Sequence, residues 1–87
     1  MSNRELYQLA LDKWGANGQL TVAVEELSEL TKEICKMLRN IGNTNGLAEE
    51  VADVEIMCEQ LRYIFSIDAD VDDWKKYKLN RLVNRLK

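Results

Sequence analysis

The apolar residues of this chain recur in steps of three and four, and no proline interrupts them. Leu20, Ala23, Leu27, Leu30, Ile34, Met37 and Ile41 form one stripe, and Leu47, Val51, Val54, Cys58, Leu61 and Phe65 form a second. Such steps place side chains on one face of an α-helix. No segment alternates with the period of two that a half-buried strand needs. Between the stripes lies Gly42-Asn43-Thr44-Asn45-Gly46, a polar turn short enough to make the two helices antiparallel neighbours.

The rest of the chain extends this pattern into an all-α reading with four helices, over residues 3–14, 19–40, 47–65 and 71–86. Ser2 and Glu5 form a capping-box pattern ahead of the first, and Gly15-Ala16-Asn17-Gly18 closes it. Asp70 is the expected N-cap of the fourth. The residues make one domain over 1–87, with no linker or repeat. A domain of 87 residues buries only about 60% of its unfolded surface. The expectation is therefore a central helical hairpin that assembles into an oligomeric bundle.

Composition removes several classes of function. Histidine is absent, which excludes Ser-His-Asp chemistry and histidine-ligated metals. Cys35 and Cys58 lack metal-site spacing and lie on the apolar stripes, where reduced core residues of a cytoplasmic protein are expected. No apolar run has the length of a membrane span, and Met1-Ser2-Asn3-Arg4-Glu5 lacks the character of a signal peptide. The net charge of −3 gives no support to nucleic-acid binding. Charge is segregated, however. Residues 74–87 carry Lys75, Lys76, Lys78, Arg81, Arg85 and Lys87 and no acid, while the carboxylates gather in the middle. Acids at the start of the last helix and bases at its end also suit the helix dipole.

Two acidic signatures stand out, Glu25-Glu26-Leu27-Ser28-Glu29 and Glu49-Glu50-Val51-Ala52-Asp53. A three-residue step puts Glu26 with Glu29, and Glu50 with Asp53, on one face each. With Val54 as reference, Glu50 falls about 40° away and Asp53 about 100° away on the same side. Glu50 thus enters the apolar sector, where a charged carboxylate is costly unless paired or bound to a cation. Glu26, Glu29 and Glu33 line a flank of the preceding helix, and Glu25 and Glu49 point further toward solvent. Hard divalent cations such as Mg2+ prefer oxygen ligands of this kind. Lone acidic pairs are common on helices; two pairs on adjacent antiparallel helices are more specific.

The order Glu-x-x-Glu, short hairpin, Glu-x-x-Asp resembles the MazG-like all-α nucleoside triphosphate pyrophosphohydrolases. Trp14-Gly15 and Gln19 ahead of the first signature are similar to that family's lead-in. Lys76 and Asn80, four residues apart, resemble its closing signature. Val83 departs from the family pattern, which often has a base there; Arg81 and Arg85 are the nearest substitutes. The resemblance implies cleavage between the α- and β-phosphates, giving a nucleoside monophosphate and pyrophosphate. It implies that Glu26, Glu29, Glu50 and Asp53 hold Mg2+ (or Mn2+). It further implies that Lys76 and Asn80, with Arg81, contact the triphosphate, and that the protein is a homodimer or homotetramer. Trp14 and Trp74 are the aromatic candidates for a nucleobase. The competing expectation is a helical oligomerisation or adaptor module without catalysis.

Overall fold

The computed structural model describes all of residues 1–87. It contains three helices and no strand: α1 (Asn3–Leu38), α2 (Thr44–Ile64) and α3 (Asp68–Leu86). The all-α expectation holds, and three elements are counted where four were expected because the first two helical segments join at Gly15 without an intervening loop. The two helices expected before residue 41 are contiguous within α1 and meet at a break at Gly15, whose φ of 75° and ψ of 167° are not helical. That backbone region is open essentially to glycine alone.

The kink has a visible consequence. Gln19 of α1 meets Gln60 of α2, and Tyr7 meets Glu59. A straight helix would separate Tyr7 from Gln19 by about 18 Å, yet their partners are neighbours in sequence. Gly15 therefore turns the first segment so that Tyr7 reaches α2 near the level of Gln19.

Helix ends follow local chemistry. Ser2 Oγ accepts the Glu5 N–H at 3.2 Å, the expected cap. Asn43 Oδ1 accepts the Gly46 N–H at 2.7 Å and starts α2 three residues earlier than the stripe suggested. At the end of α1, Ile41 N–H bonds Lys36 O and Asn40 N–H bonds Met37 O, with Asn40 at φ 60°. At the end of α2, Ile67 N–H bonds Arg62 O and Ser66 N–H bonds Tyr63 O, with Ser66 at φ 53°. Both are Schellman closures, with Asn and Ser where glycine is usual. Asp70 is not the N-cap of α3, which begins at Asp68 after Ile67 with no side-chain cap.

α1 and α2 pack antiparallel in a seven-residue register. Gln19, Glu26 and Glu33 on α1 face Gln60, Asp53 and Gly46 on α2 in turn. Two helical turns forward on one helix are matched by two turns back on the other, as in a coiled-coil seam. Gly46 is needed at the last pairing, since a Cβ there would lie 3.2 Å from Glu33 Oε2. Ala23 and Met57 are the apolar residues buried in this seam; Gln19 and Gln60 are the polar ones. Cys35 and Cys58, expected in the core, are exposed.

α3 behaves differently. None of its residues is buried, and no Cα of α3 lies within 8 Å of one in α1. Its first turns are held by Arg62, whose guanidinium donates to Asp68 Oδ1 at 2.8 Å and Asp72 Oδ1 at 2.9 Å. No helix is long and apolar enough to cross a membrane.

Candidate metal centre

The register of the hairpin builds the site. Pairing Gln19 with Gln60 and Glu33 with Gly46 sets Glu26 opposite Asp53, and one turn along α2 adds Glu50. One carboxylate oxygen from each of Glu26, Glu50 and Asp53 lies within 4.8 Å of the others. All three residues are half-buried. Glu29 is exposed and lies outside this cluster, although its charge is felt at both Glu26 and Glu50. Three of the four expected carboxylates thus converge, and the fourth stands at the rim.

The electrostatics are unbalanced. Desolvation, then the charge of Asp53 and a hydrogen bond with it, hold the Glu26 carboxyl above its usual range, with smaller pushes from Glu50 and Glu29. Glu50 is raised by desolvation first and then by Asp53, Glu29, Glu49 and Glu33. No base relieves this repulsion. The nearest ion pair, Lys36 with Glu33 at 3.3 Å, engages a different acid. Glu50 Oε2 is buried and has no hydrogen-bond partner. An orphaned carboxylate oxygen among like charges is costly. A divalent cation would supply the missing partner, and an all-oxygen donor set suits Mg2+ or Mn2+.

A groove of about 380 Å3 adjoins the cluster, lined by Trp14, Gly18, Gln19, Val22, Met57 and Gln60 among others. Val22 and Met57 are one turn from Glu26 and Asp53, so groove and carboxylates are contiguous along the hairpin. The Gln19–Gln60 pair at its floor escaped the sequence reading, as did the part of Glu33. The seven-residue spacing of Gln19, Glu26 and Glu33 was the available signal. Trp74 is not at this groove; it is exposed on α3, edge-on to Tyr77 with ring centres 5.9 Å apart. Lys76, Asn80 and Arg81 are also exposed on α3, none of whose Cα atoms lies within 8 Å of one in α1.

A larger cleft of about 850 Å3 lies at the kinked end, between α1, α2 and the start of α3. Within it Arg62 is bridged to Asp68 and Asp72, and Glu59 accepts from the Tyr7 hydroxyl, whose pKa that bond pushes up to about 12. Arg4 stacks over Tyr63 at 5.4 Å.

Comparisons of the chain with family models, with curated proteins and with solved structures find no match.

Proposed function

We propose that this chain is a Mg2+-dependent nucleoside triphosphate pyrophosphohydrolase, working as a homo-oligomer in a cytoplasmic setting. The observation that carries the reading is the convergence of Glu26, Glu50 and Asp53, one of which, Glu50, has a buried and unpartnered Oε2. In this reading those three carboxylates hold the metal. Bound there, Mg2+ neutralises phosphate oxygens and lowers the pKa of a water. Glu29, left outside the cluster, is the carboxylate free to take a proton from the water that attacks the α-phosphorus. Lys76, Asn80 and Arg81 supply positive charge and an amide for the phosphates. Phosphoryl transfer needs positioning and charge neutralisation rather than a covalent nucleophile, which agrees with a chain that lacks histidine. Trp14, bordering the groove beside the carboxylates, offers a flat apolar partner for a base.

The test is pyrophosphate release from a panel of NTPs and dNTPs with and without Mg2+, beside Asp53→Ala. Turnover that needs both metal and Asp53 supports the enzyme; absence of turnover with every nucleotide would falsify it. One observation favours the second reading, a catalytically silent assembly module. Only four residues are buried, and large apolar side chains on all three helices are exposed. An inactive protein that still assembles would be that module.

A further inference from the structure

We infer that the cleft at the kinked end of the hairpin binds a small zwitterion, a free amino acid whose side chain carries a positive charge. The first observation is the cleft itself. Its volume of about 850 Å3 is that of a small-molecule site, and all three helices contribute to its wall. On α2 the lining residues step by three and four from Glu55 through Glu59 and Arg62 to Ser66, which places them on one face. α1 adds Arg4 and Tyr7, and α3 adds Asp68 and Lys75.

The second observation is which of its charges are already matched. Arg62 bridges Asp68 and Asp72 through Nη1 alone, so Nε and Nη2 remain free to donate. Glu59 accepts from Tyr7 through Oε2, which leaves Oε1. Arg4 lies over the Tyr63 ring at 5.4 Å and has no acid partner. Lys75 and Glu55 make no ion pair either. The wall carries three bases (Arg4, Arg62, Lys75) and three acids (Glu55, Glu59, Asp68). A simple anion or a simple cation would therefore meet as much repulsion as attraction, whereas a ligand bearing both signs can satisfy both sets.

The third observation is how the two signs are laid out. Tyr7 is level with Glu59, and Arg4 is level with Tyr63, one turn further along α2. Glu55 and Glu59 thus lie toward one end of the cleft, and Arg62 and Arg4 toward the other. Glu55 and Arg62 are seven residues apart, about 10 Å along the helix, too far to neutralise each other. A ligand carboxylate suits the guanidinium forks of Arg62 and Arg4. Glu59 Oε1, one turn from Arg62, is left for an α-ammonium, and Glu55, one turn beyond, for a side-chain cation. An amino acid with a neutral side chain carries its charges on neighbouring atoms and cannot reach Glu55; lysine or arginine can. None of Glu26, Glu50 and Asp53 lines this cleft, so the inference does not rest on the proposed function.

The experiment titrates the full chain, labelled with 15N, with free L-arginine and free L-lysine, and follows the backbone amides by NMR. Saturable shifts at Glu55, Glu59, Arg62 and Ser66 are expected. Agmatine lacks the carboxylate and norleucine lacks the side-chain cation; each should bind about tenfold more weakly or worse, the scale of one charged hydrogen bond lost. Glu55→Gln and Arg4→Gln should each weaken arginine binding by a similar factor. Both residues are exposed and outside any ion pair, and the spectrum of each variant checks that the fold is kept. No saturable shift with either amino acid overturns the site. So does agmatine or norleucine binding as tightly as arginine, indifference to both substitutions, or shifts confined to the surroundings of Glu26 and Glu50. These readouts need neither nucleotide nor metal, so failure of the enzymatic reading leaves this test standing.

Discussion

The hairpin and α3 are both amphipathic, but they meet their burial requirement in different places. In the hairpin, Ala23 and Met57 close a seam against each other, and even the polar residues of that seam pair across it, Gln19 with Gln60. In α3 a comparable set of leucines and valines stays exposed, and the intrachain ties are polar and confined to its first turns. The contrast separates two kinds of amphipathic helix: one whose apolar face is covered within its own chain, and one whose apolar face is left open.

The strongest break of the contrast is chemical. Asp53→Ala should lower kcat/KM for the preferred nucleotide by about a hundredfold or more, the scale of losing a preorganised electrostatic contact. Leu82→Ala on α3 should leave the chemistry of an assembled site unchanged and act through assembly. Next is the metal. Mg2+ at a hundredfold excess over its Kd should raise Tm on the order of 10 °C, since it binds the folded state alone. Glu50→Gln should abolish most of that shift while leaving the metal-free protein at least as stable, because it removes an unpartnered buried charge.

The seam itself comes next. Gln19→Ala leaves the Gln60 amide unpaired and should cost about 1–3 kcal/mol in denaturant unfolding. Replacing both glutamines with leucine should be close to neutral. Gly15→Ala should cost a similar amount, about 1–3 kcal/mol, all of it backbone strain, because no atom lies within 4 Å of the added Cβ.

A subtler effect is the pH dependence of the metal-free protein. Glu26 and Glu50 have folded pKa values above 4.5. Their contribution to stability is therefore fully present below the unfolded value and lost as pH rises through the elevated folded values. Metal-free Tm should fall across that interval, Glu50→Gln should flatten the fall, and Mg2+ should reverse it. The smallest effect concerns α3: Leu79→Ala should change the unfolding free energy of the dilute monomer by less than about 0.5 kcal/mol, while weakening assembly measured by light scattering.

Much of this was legible in the residues. Steps of three and four, with no proline, specified helices, because that periodicity is a property of the chain before anything packs. The placement of Glu50 within an apolar sector followed from the same angles. Asn40 and Ser66 take left-handed conformations usual for glycine, and the helix ends expected at residues 40 and 65 lie within two residues of Leu38 and Ile64. The Gly15–Gly18 stretch was expected to separate two helices, and the backbone breaks there at Gly15 alone, with helix resuming at once on its far side. The apolar stripes placed Cys35 and Cys58 in a core that the lone chain does not form around them.

Which acids converge was beyond the sequence. Periodicity assigns a face to each helix separately; it says nothing about where two faces meet along their length. The pairing of Gln19 with Gln60 and the close approach of Gly46 to Glu33 set that axial register, and with it the choice of Glu26, Glu50 and Asp53 over Glu29. The exit of α3 was decided in the same way, by a bridge from Arg62 to two aspartates across a turn. Periodicity along a chain is one-dimensional and belongs to the sequence. Register and direction are relations between separate segments, and they exist only once those segments are packed.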